Sequence, residues 1–355
     1  MSMRSLARTP VQGLKPYEAA AQVDDTIRLN ANEAAWRNDG DTFRRALNRY
    51  PEVRPARLRQ LLAARYDCDA SGLLVTRGSS EAIDLLMRVF CESGRDNVVT
   101  TTPTFSMYEH YAVVQGAELR QVETDATEDF RVDPTRALAA CDDATKLIIL
   151  CSPNNPTGTF IPAAVITDIV EARAGQSIVV VDEAYIEFAP AESVTGLVDQ
   201  YDNLVALRTL SKALAFAGAR CGSVIGSPDV IDMLNAVQAP YALSTPVIEC
   251  VENALDAEGL AGAEQGVAET IRERERMRVR LSEFASVEKV WPSAANFLLV
   301  RVADAPALMA HCEANQVLLR HFGGELADCV RISIGSAAEN DRLLDALASL
   351  EATNG

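Results

Sequence analysis

The sequence holds few of the residues on which metal and disulfide chemistry depend. Its 355 residues include three histidines, none of them clustered with carboxylates, and eight cysteines without one C-x-x-C spacing. A zinc site and a disulfide scaffold are therefore poor interpretations. We expect no metal site, and we expect the cysteines to act as small apolar side chains in a reducing cytoplasm.

Long apolar runs are missing too. No stretch approaches the roughly 20 apolar residues that cross a bilayer, and no apolar segment follows the two arginines among the first ten residues. The sequence therefore predicts neither a membrane span nor a signal peptide.

Positive charge is scarce as well. The 33 lysines and arginines face 50 aspartates and glutamates, which gives a formal net charge of -17. So acidic a surface repels nucleic acid and anionic membranes, and we expect neither as a partner. Even the arginine-rich run at 269–280 alternates Arg with Glu, which is typical of a solvated helix face. An anionic ligand would have to be held by a few arginines in one place.

What the sequence does contain is a series of short, nearly continuous apolar runs separated by helical patterns. Such runs predict strands buried on both faces of a mostly parallel sheet, so the fold class is α/β, with the large sheet inside an α/β/α sandwich. We expect a large domain over residues 43–246, a smaller α+β domain over 247–355, and an N-terminal arm with part of the small domain over 1–42. The predicted strands of the large sheet are LLVT (73–76), NVVT (97–100), KLIILC (146–151), SIVVVD (177–182), LVALRT (204–209) and GSVIG (222–226).

Polar residues of a consistent kind follow these predicted strands, at the edge where open α/β sheets bind ligands. In TRGSSEAIDLL, Ser79 and Ser80 open a helix, where free N–H groups and the helix dipole favour an anion. A helix cap is the alternative for these serines. In PTFSMY, the Phe105 ring could stack on a planar ligand or pack in the core. In SPNNPTG, Asn155 offers an amide donor at the sheet edge, although a plain turn explains the segment as well.

The last two segments carry charge. Asp182 ends the strand SIVVVD and is followed by Tyr185. A buried carboxylate needs a cation or strong donors, although Asp182 could also cap the next loop. In TLSKALAFAGAR, Lys212 follows Ser211 in a small apolar context that lowers a lysine pKa, and Arg220 comes eight residues later. An amine that captures an aldehyde, an acid for a pyridinium, donors for a phenolic oxygen and Ser, Ser and Arg for a phosphate together describe pyridoxal 5'-phosphate.

The three motifs SPNNPTG, VVVDEAY and TLSKALAFAGAR resemble the fold type I pyridoxal-phosphate aminotransferases, and the lysine segment is similar to their class II signature. The resemblance implies that Lys212 bonds to the cofactor and then moves a proton, while Asp182 keeps the ring nitrogen protonated. Tyr185 and Asn155 would donate to the ring oxygen, and Phe105 would stack on the ring. The residues implied at the cofactor phosphate are Ser79, Ser80, Ser211 and Arg220, with Tyr50 reaching the phosphate of the neighbouring subunit in a homodimer.

Within that family, the segments VQGLKPYEAA, LNANE, RYPE, LLR and VRISIG resemble the histidinol-phosphate aminotransferases. This resemblance implies histidinol phosphate and 2-oxoglutarate (or glutamate) as substrates, with Tyr17, Arg320 and Arg331 on the substrate phosphate. Without the resemblance, Arg320 would be interpreted as a surface residue of a strand edge. The chain departs from the family after LNANE, where AAWRNDG (34–40) replaces an Asn-Pro-aromatic-Gly turn at the substrate mouth.

Other functions stay open at this stage. An aromatic amino acid aminotransferase would use Arg331 for a carboxylate, and a threonine-phosphate decarboxylase would share the lysine and phosphate sites. A non-catalytic cofactor-binding regulator would keep Lys212 without needing Tyr17 or Arg320, but the sequence shows no DNA-binding extension. A nicotinamide dehydrogenase needs G-x-G-x-x-G after its first strand, and RGSSEA does not match that pattern.

Overall fold

The chain is described by a computed structural model over residues 2–22, 26–191 and 193–354. Its centre is a seven-stranded sheet with the order β1-β7-β6-β5-β4-β2-β3. The pairings among β2 to β6 are parallel, and only β7 runs antiparallel to its two neighbours, which confirms the predicted mostly parallel sheet. The strands are β1 (Leu73–Thr76), β2 (Asn97–Thr102), β3 (Glu118–Glu123), β4 (Thr145–Cys151), β5 (Ile178–Asp182), β6 (Leu204–Thr209) and β7 (Gly222–Gly226).

Both faces of this sheet are buried because successive side chains of each strand point to opposite sides. In β5, Ile178 and Val180 pack into one apolar cluster with helix residues such as Leu86. Val179 and Val181 pack into a second cluster on the other face. The near-continuous apolar runs of the sequence therefore become the middle layer of an α/β/α sandwich. Its helices are α1 (Thr9–Gln12), α2 (Ala56–Arg65), α3 (Gly78–Phe90), α4 (Met107–Gln115), α5 (Pro134–Ala139), α6 (Ala163–Ala172), α7 (Pro228–Val237) and α8 (Thr245–Ala254).

A strand that the sequence analysis did not predict, β3, lies at one edge of the sheet. Its residues ELRQVE are exposed or partly buried, and none is fully buried, because an edge strand has solvent on one side and carries no apolar run. The amphipathic helix α3 covers the sheet as the stripe of Ile83, Leu86 and Phe90 predicts, and these three residues are fully buried.

The second core is built on a four-stranded antiparallel sheet with the order β10-β11-β9-β8. The apolar run QVLLRHF (316–322) resembles a strand of ordinary length but forms only the two residues of β10, and Leu318 within it is largely exposed. Position 247, expected to start the small domain, lies inside α8, whose Ile248 and Val251 pack into a core of the large sheet. The elements are α9 (Ala257–Leu281), β8 (Val287–Val290), β9 (Phe297–Val302), α10 (Ala305–Ala314), β10 (Arg320–His321), β11 (Cys329–Ser333) and α11 (Ala337–Asn354).

The N-terminal region packs into the core of the large domain at its start. Met3, Leu6 and Val11 are buried in the cluster that also holds α3 and α7 residues. The described residues between 13 and 55 form no helix or strand, and they expose Ile27 and Leu29 almost completely. Among the helices of the described part of the chain, none is long and apolar enough to cross a membrane.

Candidate active site

A cavity of about 860 Å³ lies at the carboxyl ends of β2, β4, β5 and β6 and is closed on one side by β10 and β11. The structure brings all the predicted site residues except Tyr17 and Tyr50 to its wall. These are Ser79, Ser80, Phe105, Asn155, Asp182, Tyr185, Ser211, Lys212, Arg220, Arg320 and Arg331. Parallel strands end at one edge of a sheet, so side chains that are distant in sequence converge there.

Asp182 lies at the end of β5 with 2% of its surface exposed. Its carboxylate accepts a hydrogen bond from the Tyr108 hydroxyl at 2.9 Å and from the Ala184 backbone N–H at 3.2 Å. Burial raises the pKa of Asp182 to about 6, although both donors and the nearby Lys212 ammonium act in the opposite direction. Both hydrogen-bond partners are neutral, so a cationic N–H brought into the cavity would find a partly uncompensated carboxylate.

Lys212 follows β6 in the loop that returns to β7, and its Nζ lies 5.7 Å from the ring centroid of Tyr185. The pKa of the amine is lowered, first by desolvation and then by the charges of Arg331 and Arg220, while Asp182 opposes this shift. A lowered pKa provides more of the neutral amine that can attack an aldehyde or accept a proton. The Tyr185 ring packs edge-on against Phe297 at 5.2 Å, and burial raises the pKa of its hydroxyl, so the phenol remains a hydrogen-bond donor.

An anion cradle is built where α3 begins. The helix has Arg77 as its N-cap, without a side-chain cap, so Ser79 and Ser80 lie within the first turn and do not cap the helix. The Arg220 Nη1 donates to the Ser211 hydroxyl at 3.1 Å and to the Ala217 carbonyl at 3.0 Å. Free helix N–H groups, three hydroxyls and a guanidinium therefore converge on one space, which is the donor set that a phosphate needs.

Gly78 permits this convergence. Its φ is +75°, and a Cβ on it would lie 2.5 Å from Arg220 Nη2. We expect G78A to weaken binding of a phosphorylated cofactor by about tenfold or more, because the guanidinium must move and one charge-assisted contact is lost. Equilibrium dialysis would measure this effect.

Gly94 provides the matched control, since its φ is +70° but a Cβ there would meet nothing within 4 Å. The G94A variant carries the same backbone penalty and should bind the cofactor as the unmodified protein does. Equal weakening in G78A and G94A would contradict the assignment of the cradle.

Two arginines lie side by side on one face of the small sheet. Arg320 and Arg331 are direct partners in the β10–β11 register, so their side chains share a face, and their guanidinium carbons lie 5.8 and 5.9 Å from the ring centroid of Phe322. Arg331 Nη1 donates to Asn155 Oδ1 at 2.5 Å, which leaves the Asn155 amide nitrogen as a donor toward the cavity. The Arg331 Nε is buried without a partner in the described part of the chain. Like charges directly opposite each other are destabilising unless an anion lies between them.

Tyr17 and Tyr50 do not line the cavity. Both rings pack on Tyr241, at 6.2 Å in an edge contact and at 4.7 Å in a stacked one. Tyr17 and Tyr50 are each about half exposed. Tyr241 has a φ of +56°, which is uncommon for a bulky residue and is found where a side chain must be presented in a particular direction.

The sequence analysis missed several residues of the site. Tyr108 stands three residues after Phe105, which packs edge-on against it at 5.7 Å, and helical spacing could have indicated that both rings face the cavity. Phe322 follows Arg320 by two residues in the same strand pattern. Asn154 joins two loops, since it donates to the Pro103 carbonyl and accepts from the Thr104 hydroxyl. Tyr241 gives no signal in the sequence, because the two rings that it packs against, Tyr17 and Tyr50, are distant along the chain.

The chain is similar to known proteins over nearly its whole length. The family model for aminotransferase class I and II matches residues 24–347. The histidinol-phosphate aminotransferases of Xylella fastidiosa and Stenotrophomonas maltophilia are 43% and 44% identical to the chain over 353 and 354 residues. These alignments cover 98% of this chain and 96% and 97% of the relatives.

Solved structures give the same result at the level of the fold. A histidinol-phosphate aminotransferase from Clostridium acetobutylicum matches with a TM-score of 0.79 at 24% identity, covering 86% of this chain and 92% of that one. A histidinol-phosphate aminotransferase from Sinorhizobium meliloti, in complex with pyridoxal-5'-phosphate, also has a TM-score of 0.79 at 24% identity and covers 87% of this chain and 84% of that one. The predicted fold is confirmed.

Proposed function

The chain belongs to the class I and II aminotransferases, and we propose that it transfers the amino group of L-histidinol phosphate to 2-oxoglutarate. The products are 3-(imidazol-4-yl)-2-oxopropyl phosphate and L-glutamate, and the reaction is reversible. It is a step of L-histidine biosynthesis. The similarity to histidinol-phosphate aminotransferases extends over nearly the whole chain, and the site contains the groups that this reaction needs.

The observation that carries the substrate assignment is the pair of arginines on the small sheet. Histidinol phosphate has no carboxylate, and its dianionic phosphate is matched by two guanidinium groups on one face, with the Arg331 Nε still without a partner among the described residues. An ordinary amino acid would need one arginine for its carboxylate and would leave the second charge uncompensated. The other phosphate-binding position, the cradle at α3, is left for the cofactor.

The cofactor of this family, pyridoxal 5'-phosphate, fits the residues present. Asp182 is a buried carboxylate without a cationic hydrogen-bond partner, which suits a protonated pyridine nitrogen, and the cradle of Ser79, Ser80, Ser211 and Arg220 suits a phosphate. Tyr185 and the Asn155 amide provide donors for a phenolic oxygen. When bound, the cofactor supplies an electron sink that stabilises negative charge at the substrate carbon bearing the nitrogen.

The protein's own groups then perform the proton chemistry. With its lowered pKa, the Lys212 Nζ would accept the proton from that substrate carbon and deliver it to the cofactor carbon C4'. Asp182 would keep a proton on the ring nitrogen, and Tyr185 remains a donor because burial raises its hydroxyl pKa. Arg320 and Arg331 hold the substrate phosphate, so the reacting carbon stays beside Lys212.

We further propose that the enzyme is a homodimer in the cytoplasm. Tyr50 and Tyr17 lie outside the cavity of their own chain, and the neighbouring segment exposes Ile27, Leu29 and Trp36. A second copy that covers this apolar segment would bring Tyr50 to the cofactor phosphate and Tyr17 to the substrate phosphate of the partner. Five of the eight cysteines are buried core residues, a use of thiols that suits a reducing compartment.

A single-turnover experiment tests the substrate. The purified holoenzyme is mixed separately with histidinol phosphate, phenylalanine and phosphothreonine, and the absorbance of the bound cofactor is followed. We expect rapid conversion by histidinol phosphate alone. Conversion by phenylalanine without conversion by histidinol phosphate would instead assign an aromatic aminotransferase, and carbon dioxide release from phosphothreonine would assign a decarboxylase.

The R320A variant tests the phosphate site. We expect the KM for histidinol phosphate to rise about tenfold to hundredfold, because one of two guanidinium groups is removed from a dianion. Histidinol, which lacks the phosphate, is the matched control substrate, and its kcat/KM should change little. A KM for histidinol phosphate that does not change would remove Arg320 from the site.

A further inference from the structure

The motif LNANE (29–33) has so far no role in the site, although its last residue, Glu33, is a buried carboxylate that accepts hydrogen bonds from three different residues. The Glu33 side chain is 2% exposed and forms two ion pairs, with Arg28 at 2.6 Å and with Arg49 at 2.8 Å. Its Oε1 also accepts the backbone N–H of Tyr50 at 2.8 Å. A buried carboxylate held by three donors in a region without helix or strand fixes the path of the chain.

These contacts join two segments that form no helix or strand. One is the stretch around Arg28, and the other is the pair Arg49–Tyr50, from which the Arg49 guanidinium also reaches the Arg28 carbonyl at 3.4 Å. The hydrogen bond from the Tyr50 N–H to Glu33 fixes the backbone of Tyr50. Stacking on Tyr241 fixes the orientation of the Tyr50 ring. The Tyr50 backbone carbonyl is held in turn by the Gln22 amide at 3.3 Å.

We propose that Glu33 is a positioning residue for the cofactor phosphate, which acts on the partner's site by fixing the backbone of Tyr50. The inference rests on the proposed function in one respect, the reach of Tyr50 to the cofactor phosphate of the second subunit. Glu33 itself touches neither cofactor nor substrate. Its loss should therefore weaken cofactor binding and leave the chemical step of the saturated enzyme nearly unchanged.

A double-mutant cycle on the dimeric holoenzyme tests this role. The dissociation constant of pyridoxal 5'-phosphate is measured by dialysis for the unmodified enzyme, E33Q, Y50F and E33Q/Y50F. We expect E33Q to raise the constant about tenfold, since the charge-assisted contacts are lost, and to change kcat at saturating cofactor by less than about twofold. In the Y50F background the same substitution should have little further effect, because the hydroxyl that Glu33 positions is already gone.

Asp41 provides a matched control in the same region. Its side chain is 3% exposed, forms an ion pair with Arg37 at 2.8 Å and accepts the backbone N–H of Phe43 and of Leu47. The D41N variant removes an equivalent buried carboxylate that does not contact Tyr50, so the cofactor constant should stay within about twofold. The E33D variant keeps the charge with a shorter reach and should lie between E33Q and the unmodified enzyme. Sedimentation confirms that each variant remains dimeric.

Three results would overturn the proposal. Additive effects of E33Q and Y50F would mean that Glu33 acts independently of Tyr50, and an equal loss in D41N would mean that it only stabilises the arm. An unchanged cofactor constant in Y50F would remove the role of Tyr50 itself, and with it the role of Glu33. That last outcome concerns the shared cofactor site alone, because the substrate experiment with histidinol phosphate does not depend on it.

Discussion

Replacing Lys212 with alanine is expected to lower the rate of transamination by about 10⁴-fold or more, the largest effect of any single substitution in this chain. Among the described residues, Lys212 is the only lysine on the cavity wall, and in the proposed reaction its amine would serve as the attachment point and as the proton carrier. Its lowered pKa arises from the same cavity that holds Arg331 and Arg220. No neighbouring residue in the described part of the cavity can replace an amine in both tasks.

The assignment can be checked without relying on activity. The sequence has four lysines, at positions 15, 146, 212 and 289. When the holoenzyme is reduced with borohydride and its peptides are mapped by mass, only these four side chains are candidates for carrying the cofactor. We expect the cofactor mass on the peptide that contains Lys212 and no labelling of the K212A protein. K146A is the matched control, because Lys146 donates to the Asp143 carbonyl away from the cavity, and it should be labelled normally. A label on Lys146 or Lys289 would overturn the assignment.

The architecture of the large sheet and the convergence of most candidate site residues at one of its edges could be predicted because both depend on local patterns. A parallel strand buried on both faces needs a continuous apolar run, and the residues after each run must lie at one edge of the sheet. This is why three residues could be placed together: Asp182 from its position at the end of β5, and Asn155 and Lys212 from their positions after β4 and β6. The fold was confirmed by the sheet order and by the similarity to solved structures.

The remaining features depend on contacts that no local pattern contains. The edge strand β3 has polar residues, since one of its sides faces solvent. The register that places Arg320 opposite Arg331 follows from packing of the small sheet, and the family resemblance alone suggested that both bind one phosphate. The hydrogen bond from the Tyr108 hydroxyl to Asp182 joins α4 to the end of β5, and no local pattern indicates a contact between residues so far apart in the sequence.

The second large effect is expected at Asp182, where D182N should lower transamination by at least about 10³-fold. An amide cannot hold a proton on a pyridine nitrogen as a carboxylate does, so the electron sink would be lost while the shape of the side chain is kept. Y108F is the graded comparison. It removes the 2.9 Å hydrogen bond that lowers the Asp182 pKa, so it should weaken the activity much less and shift its pH dependence upward. Equal rates for D182N and the unmodified enzyme would exclude Asp182 from the reaction.

The D182N substitution should stabilise the protein in the absence of its cofactor. Burial raises the pKa of Asp182 from 3.8 to about 6, so the folded state binds this proton more tightly than the unfolded chain does. Stability from this group is therefore complete below pH 3.8 and is lost as pH rises through about 6, by about 3 kcal/mol in total. At pH 8 the apo form of D182N should accordingly be more stable than the unmodified apoprotein, and the difference should vanish near pH 4.

Denaturant unfolding of both apoproteins across this pH range measures that difference, since groups common to the two proteins cancel. The D41N variant should instead be less stable than the unmodified apoprotein at neutral pH. The hydrogen bond from Arg37 lowers the pKa of Asp41, so the Asp41 carboxylate stabilises the fold, and this stabilisation is lost as the pH falls through the lowered pKa. Saturation with cofactor should reverse the order for Asp182, since a pyridinium then compensates the carboxylate that destabilises the empty site. An apo D182N protein less stable than the unmodified one at pH 8 would show that the carboxylate is already compensated. Asp182 would then be a structural group. A more stable apo D182N protein at pH 8 would instead identify Asp182 as a charge that lowers the stability of the empty protein and is retained for binding the cofactor.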